Sequence, residues 1–327
     1  MKALSVAVIA GGPSAEANVS RTSAGAVCAA LGQAGQRATV LELEAALPAA
    51  LREGRFDVAF PVTHGPLGED GCLQGLLEVL GLPYVGSGVL ASALAASKPH
   101  AKALFRQSAL PLAEELSVSE LEGVARAAQR VRERFDGAVV VKPASGGSAI
   151  GTTRVDPADE RLEAALEAAF AVDADVLVER FVAGLEVTCG VLEGPSGARV
   201  LPPTLISAKA ADWYDFTSRY RAGGSAHQCP APLPAAVTAR VQEVALAAFR
   251  ALGCRDLGRA DFVVPEGDDP SGVTLLEINT LPGMTSTSLF PEAAAAVGIE
   301  FPRLCAELAR RAHERPARKH PVPIAMP

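Results

Sequence analysis

Short apolar runs alternate with helix-like patterns through the first 95 residues of the chain. Leu4 to Ile9 forms a short apolar run of the kind that buried parallel strands show. After a Gly-Gly turn, apolar residues from Ala24 to Leu31 recur at the i, i+3, i+4, i+7 spacing of an amphipathic helix. Strand-like segments at 39–43 and 57–62 precede a second helical repeat from Leu73 to Leu80. This rhythm predicts a parallel sheet with helical connections.

The pattern changes after residue 95. A Gly/Ser-rich loop at 143–151 lies between two predicted strands, which is typical of a small α+β unit. The sequence predicts further helices at 98–107, 120–135, 162–170, 237–252 and 302–312, and further strands at 83–85, 138–142, 152–155, 175–179, 260–264 and 273–278. The basic, proline-containing tail at 313–327 is expected to be frayed.

Length and charge narrow the function classes. A chain of 327 residues suggests about two domains, and its 49% hydrophobic content is too high for a disordered protein. The net charge of −7 leaves no whole-chain basic field for a nucleic acid backbone. The uncharged stretch from Val79 to Ser97 contains Pro83 and three glycines, so we expect a strand, a turn and a helix start rather than a membrane span.

The amino-terminal segment and the cysteines bear on the compartment. Lys2, the apolar run and an Ala-x-Ala sequence resemble a short signal peptide, but the run ends at Ala10 and a Gly-Gly turn follows, which favours a strand and turn. The six cysteines show no metal-ligand spacing and suggest no disulfide framework. A reducing cytoplasm is therefore the expected location.

Two apolar strands near the carboxyl terminus carry the strongest candidate for chemistry. If they form a hairpin centred near Asp269, Asp261 faces Glu277, and Asn279 points to the same side of the sheet. Two carboxylates and an amide oxygen are a ligand set that suits Mg²⁺. The alternative is a pair of solvated acids on a half-exposed sheet. The apolar surroundings and the neighbouring Arg259 favour the metal site.

Other segments are less specific. Lys142 and the loop after it could hold phosphate groups, although many hairpins are equally rich in Gly and Ser. Glu16 in the first turn could serve a helix dipole or bind an ammonium group. The polar run 279–291 is either a ligand loop or a structural turn with a helix cap. Dinucleotide-binding, P-loop, serine-hydrolase and zinc-protease motifs are missing from the sequence.

These segments, in this order, resemble the D-alanine–D-alanine ligases of the ATP-grasp superfamily from about Val6 to Ala309. The motifs that carry the resemblance are GGPSAEANVS, HGPLGEDGCLQGLLEVLGLPYVGSGVLASALAASK, VVVKPASGGSAIG, VLVERFVAGLEVT, YRAGGSAHQCPAPL, LGRADFVV and LLEINTLPGMTSTSLFP. The resemblance implies an α/β (α+β) chain with a three-lobed ATP-grasp fold: a Rossmann-like parallel-sheet lobe at 1–95, a central lobe at 96–180 and a carboxyl-terminal lobe at 181–312. It also implies ligation of two D-alanines through an acyl phosphate, for peptidoglycan precursor synthesis, and it allows a homodimer.

The resemblance also implies roles for single residues. Glu16 and His64 would lie at the first D-alanine, and Ser288 with the Leu289 backbone would receive the carboxylate of the second. Arg259 and the Gly283 N–H would stabilise a tetrahedral oxyanion. Two Mg²⁺ ions, or Mn²⁺ in their place, would be bound by Asp261, Glu277 and Asn279. The expected ATP contacts are Lys98, Lys142, Glu179, Phe181, Val182, Glu186 and Arg219.

Ser148 and Tyr220 would join Glu16 in closing a loop over the site, and the tyrosine favours an amine over a hydroxyl nucleophile. The chain departs from the family pattern after Glu16, in the phosphate loop at 146–149, and at Arg219, where a lysine is common. The alternatives are a ligase that uses D-serine or D-lactate as second substrate, another ATP-grasp carboxylate–amine ligase, and a catalytically silent nucleotide-binding relative.

Overall fold

The computed structural model describes residues 3–147, 149–208 and 225–316 of the chain. The strands in these ranges are β1 Ser5–Ala10, β2 Arg37–Glu42, β3 Val58–Pro61, β4 Glu115–Ser119, β5 Val139–Pro143, β6 Thr153–Val155, β7 Asp175–Arg180, β8 Leu185–Gly194, β9 Gly197–Val200, β10 Thr204–Ala208, β11 Ser225–Gln228, β12 Leu257–Val264 and β13 Thr274–Asn279. The helices are α1 Ala17–Gln33, α2 Leu47–Gly54, α3 Cys72–Leu80, α4 Val89–Ala96, α5 Lys98–Gln107, α6 Val124–Arg134, α7 Arg161–Phe170, α8 Ala235–Ala251, α9 Leu289–Ala295 and α10 Phe301–Glu314.

The first sheet is parallel, as the amino-terminal pattern predicts. Its order is β2-β1-β3, and the side chains of β1 are buried almost throughout because helices cover both faces of the sheet: α1 on one face, and α2 and α3 on the other. The strand predicted at 83–85 is reduced to a single bridge between Tyr84 and Ala59. Pro83 has no backbone N–H to donate, and Gly86 turns the chain away with a φ of 102°.

The second sheet is antiparallel, with the order β4-β7-β5-β6. α6 and α7 cover it, and their buried alanines and leucines pack with valines of β5 and β7. The single helix predicted at 120–135 is wrong. A 3₁₀ turn at Glu120–Glu122 is capped by the Ser119 side chain, and Gly123 then takes a φ of 78°, which separates that turn from α6.

The third sheet is also antiparallel, with the order β11-β10-β8-β12-β13 and β9 paired to β8. α8 packs against it through Val237, Val241 and Phe249. Phe105 of α5 belongs to this core rather than to the core of the second sheet.

The last described helix packs against the first elements of the chain. Leu304 and Leu308 of α10 share a core with Val27 and Leu31 of α1 and with Val6 of β1. The chain therefore closes on itself, which fixes the first sheet relative to the third. The division into lobes at residues 95 and 180 stays a prediction. Within the described ranges, none of the helices combines the length and apolar character needed to cross a bilayer.

Candidate active site

Two adjoining cavities lie between the sheets. The first, of about 420 Å³, lies between the second and third sheets and reaches the turn that precedes α1. Six of the residues predicted to contact ATP line it: Lys98, Lys142, Glu179, Phe181, Val182 and Glu186. Sequence positions from 98 to 186 thus converge on one cavity of a size suited to a nucleotide.

The second cavity, of about 330 Å³, lies between the amino-terminal elements and the face formed by β12 and β13. Its walls include the residues predicted for substrate, oxyanion and metal: Glu16, His64, Arg259, Asp261, Glu277, Asn279, Gly283, Ser288 and Leu289. Glu16, Glu186 and Glu277 line both cavities. A phosphate group in the first cavity would therefore be next to a small substrate in the second.

Two lysines pair with one buried carboxylate in the first cavity. Glu179 on β7 is 3% exposed and forms ion pairs with Lys142 on β5 and Lys102 on α5. Burial alone would raise the pKa of Glu179, but the two ammonium groups outweigh it and hold that pKa at about 2. The carboxylate is thus ionised at neutral pH and fixes the position of the Lys142 ammonium group.

Lys98 reaches the Gly/Ser-rich loop. Its Nζ donates to the Gly146 carbonyl at 2.7 Å, and its backbone N–H donates to the Ala144 carbonyl at 2.8 Å. Burial lowers the pKa of Lys98, and the positive charge of Lys142 lowers it further. The negative charge of Glu277 raises it again but does not cancel the decrease. Two lysines therefore carry positive charge to the loop at the end of β5, where an anionic ligand would offset their repulsion.

The β12–β13 hairpin has the predicted register at the end that carries Arg259 and Asp261. Asp261 faces Glu277 and Arg259 faces Asn279, as the sequence predicts. A β-bulge follows, so that Phe262 faces Leu275 and Leu276 is left as the extra residue. Leu276 lines both cavities beside Glu277.

Asp261 is the most heavily hydrogen-bonded of these side chains. Arg259 donates to it through Nε and Nη2, both at 2.8 Å, in a side-on pair. The Thr188 hydroxyl donates to Oδ1 at 2.7 Å, and the Asn279 amide donates to Oδ2 at 3.0 Å. The carboxylate is thus held in one orientation on the cavity wall.

The donor set on this face fits a small hard cation. Asp261, Glu277 and Asn279 offer two carboxylates and an amide oxygen, and Mg²⁺ typically takes one or two carboxylates and completes its shell with water and phosphate oxygens. Across residues 3–147, 149–208 and 225–316, no group of three or more His, Cys, Asp or Glu side chains is placed to hold a metal ion.

His64 occupies the opposite wall of the second cavity. Its Nδ1 lies 3.8 Å from Glu69 Oε2, and Glu69 Oε1 accepts from the Gly65 N–H at 2.8 Å. Burial would lower the pKa of His64, but Glu69 and Glu16 outweigh burial and raise it. The cavity thus presents a basic imidazole close to the Glu16 carboxylate.

The loop after β13 closes the cavity. Ser288 Oγ accepts from the Thr285 N–H at 3.1 Å and lies 2.7 Å from the Thr285 hydroxyl. A Cβ added to Gly283 would lie 3.1 Å from Ser288 Oγ, so the backbone of Gly283 approaches this hydroxyl closely. The Gly283 N–H and the Ser288 side chain therefore belong to the same small region.

Three predicted residues, Ser148, Arg219 and Tyr220, lie outside the described residues. Sequence reasoning in turn missed Lys102, Glu69 and Thr188, which hold Glu179, His64 and Asp261 respectively. Lys102 follows Lys98 at the i, i+4 spacing, which was a usable sign of a shared helix face. Glu69 lies within the HGPLGEDG motif, but no local pattern marks Thr188.

Comparison with known proteins agrees with this geometry. The family model of the D-ala D-ala ligase C-terminus matches residues 104–310, and that of the N-terminus matches residues 36–87. A D-alanine--D-alanine ligase of Desulforudis audaxviator is 45% identical over 95% of this chain and 99% of its own.

Solved structures agree as well. The D-alanine--D-alanine ligase of Bacillus anthracis superposes with a TM-score of 0.80 at 31% identity, covering 95% of this chain and 97% of its own. Its complex with ATP superposes with a TM-score of 0.78 at 29% identity, with the same coverage. The VanG D-Ala:D-Ser ligase of Enterococcus faecalis also superposes with a TM-score of 0.80, at 28% identity, covering 95% of this chain and all of its own. The chain belongs to the D-alanine–D-alanine ligase family and has its ATP-grasp fold.

Proposed function

We propose that this chain joins two D-alanines to D-alanyl-D-alanine at the expense of ATP, supplying a peptidoglycan precursor. The observation that carries the proposal is the shared wall of the two cavities. Glu277 and Glu16 line both, so a nucleotide phosphate and an amino-acid carboxylate can meet there. Two lysines line the first cavity, whereas an arginine, two histidines and hydroxyl groups line the second.

In the first step, a carboxylate oxygen of the first D-alanine attacks the γ-phosphorus of ATP, and the bond to the β-phosphate oxygen breaks to release ADP. Lys98 and Lys142 neutralise charge on the phosphates, and Glu16 holds the ammonium group of the amino acid. Catalysis consists mainly of positioning and charge neutralisation, as is general for phosphoryl transfer. The product is an acyl phosphate, which has a good leaving group.

Two Mg²⁺ ions, with Mn²⁺ as a substitute, would be held by Asp261, Glu277 and Asn279. A bound divalent ion supplies positive charge that screens repulsion between phosphate oxygens and the incoming carboxylate. The Asp261 carboxylate, oriented by Arg259 and Thr188, is already fixed for that role.

In the second step, the amine of the second D-alanine attacks the acyl carbon. The tetrahedral intermediate carries an oxyanion, which Arg259 and the Gly283 N–H stabilise. The carbon–oxygen bond to phosphate breaks, the proton of the attacking amine passes to the departing phosphate, and the peptide bond remains. Ser288 and the Leu289 backbone receive the carboxylate of the incoming D-alanine, which aims its amine at the acyl carbon.

The test is phosphate release from Mg-ATP by the purified chain, with the product identified by mass spectrometry. D-alanine should give phosphate and the dipeptide, and Asp261→Asn should lower turnover by roughly 10²–10³-fold or more while circular dichroism shows an intact fold. If turnover requires D-serine or D-lactate in addition to D-alanine, the second substrate is that compound rather than D-alanine. Turnover only with unrelated amino acids would reject the proposal.

The compartment and the assembly belong to the same proposal. The proposed compartment is the cytoplasm, where ATP is available. The family resemblance allows a homodimer, and light scattering during size-exclusion chromatography would give the mass of the assembly.

A further inference from the structure

A second cluster of charged side chains lies outside both cavities and is centred on Asp256. This residue is fully buried and adopts the left-handed backbone conformation, with a φ of 61°. A buried carboxylate must be paired and hydrogen-bonded to offset its lost hydration. None of the roles proposed above uses it, so its retention in the interior calls for a different explanation.

The partners of Asp256 come from three separate segments. Oδ2 accepts from the Gly86 N–H at 2.8 Å and from the Arg315 guanidinium, and Oδ1 lies 3.3 Å from Arg311 Nε. The backbone N–H of Asp256 donates to Glu193 Oε2 at 2.9 Å. Glu193 Oε2 also accepts from Arg311 Nη2 at 2.7 Å, so both arginines are tied into one network.

The network joins the first sheet to the wall of the substrate cavity. Arg315 donates to the Tyr84 carbonyl at 3.0 Å, and Tyr84 forms the bridge to β3. A Cβ on Gly86 would lie 3.0 Å from Leu281 Cδ2, and Leu281 lines the substrate cavity. The segment at 84–86 is thus held between Asp256 and the loop that follows Asn279.

Asp256 immediately precedes β12, which carries Arg259 and Asp261. Glu16 and His64 face that strand from the amino-terminal side of the cavity. We propose that Asp256 is a positioning residue, which joins β12 to the first sheet and so sets the spacing between Arg259 and the groups that hold the first D-alanine. This assignment rests on the proposed ligase function.

The test uses Asp256→Gly, which keeps the left-handed backbone accessible, and Asp256→Asn, which keeps the shape but removes the charge. We expect kcat/KM for D-alanine to fall roughly 10- to 100-fold, with KM for ATP within about twofold, because the predicted ATP contacts in the first cavity lie between residues 98 and 186 and not on the amino-terminal elements that Asp256 joins to β12. Glu307→Gln removes an exposed pair with Arg303 on α10 and should leave kcat and both KM values unchanged.

A combined variant separates positioning from stability. Asp256→Gly with Arg311→Met and Arg315→Met also removes the two part-exposed guanidinium groups that lose Asp256 as a partner, and should recover much of the lost Tm, while kcat/KM for D-alanine stays low. If kcat/KM recovers together with Tm, or if it never falls in Asp256→Gly, the positioning role is wrong.

Hydrogen exchange supplies a readout that needs no turnover. In Asp256→Gly the Gly86 amide and the first amides of β12 should lose protection together, with the amides of β5 and β7 unchanged. Exchange at 84–86 that is the same as in the original chain would overturn the proposal even if the ligase function holds. Absence of D-alanine turnover in the unaltered chain would reject the function alone.

Discussion

At the scale of single residues, the charges of the first cavity are coupled through Glu179. Burial would raise its pKa, but Lys142 and Lys102 hold the value at about 2, below the usual 4.5. A carboxyl whose pKa falls on folding stabilises the native state above its unfolded-state pKa, and that contribution is lost as the pH falls toward 2.

Glu179→Gln should therefore lower the free energy of unfolding at pH 7 by roughly 3–5 kcal/mol, because two buried ammonium groups lose the carboxylate that they share, and among the described residues only Lys102 keeps a second partner, Glu115, at 3.8 Å. Urea titrations at several pH values would also show that the free energy of unfolding of this variant depends less on pH below about pH 5 than that of the original chain. Glu163→Gln is the matched control, since it breaks an exposed pair with Arg132 and should cost less than about 1 kcal/mol. Equal losses in both variants would contradict the coupling.

His64 gives a second prediction at this scale. Its pKa is raised against burial by Glu69 and Glu16, so the stabilisation from this pairing is present below pH 6.5 and is lost as the pH rises through the raised pKa. Glu69→Gln should lower the pKa of His64 by about one unit in an NMR titration of the imidazole protons. Glu53→Gln, on an exposed position of α2, should leave that titration unchanged. An unchanged pKa of His64 in Glu69→Gln would rule out the pairing of His64 with Glu69.

The residues predicted to contact ligands could be identified from the sequence more readily than the residues that fix those side chains in place. Asp261, Glu277 and Asn279 follow from strand alternation and from a turn of recognisable composition. Thr188 could not be predicted, because its contact with Asp261 depends on β8 pairing beside β12, 73 residues away along the chain.

At the scale of elements, local turn chemistry explains both the successes and the errors. The hairpin register near Asp261 was predicted, but the bulge at Leu276 was not, since an extra residue in a strand leaves no mark on an apolar run. The break at Gly123 was missed because charged residues continue on both sides of it. In both cases a backbone detail, rather than side-chain periodicity, decides the geometry.

Gly65 offers a test at this scale. It has a φ of 72°, and a Cβ there would lie 2.8 Å from the Ser14 Cβ in the turn that precedes Glu16. Gly65→Ala should lower kcat/KM for D-alanine by roughly 10-fold or more, because His64 and Glu16 must move apart. Gly35→Ala is the control: its φ of 75° imposes a similar strain of about 1–2 kcal/mol, but no atom lies within 4 Å of the added Cβ. Equal activity losses would show that strain alone is responsible.

At the scale of the whole molecule, the active site depends on contacts between distant parts of the chain. The sequence predicts the parallel and antiparallel regions from their patterning, but not the packing of α10 on α1 or of α5 on the third sheet. These contacts join residues far apart in sequence, and amphipathic helices specify a buried face without specifying its partner. The two cavities exist only because that packing brings the three sheets together.

The most direct test of the central claim uses D-alanine labelled with ¹⁸O in its carboxylate, incubated with Mg-ATP and the purified chain. An acyl phosphate intermediate transfers one labelled oxygen to phosphate for each dipeptide formed. D-alanyl-D-alanine and singly labelled phosphate are expected in equal amounts. Unlabelled phosphate, or phosphate without dipeptide, would contradict this mechanism.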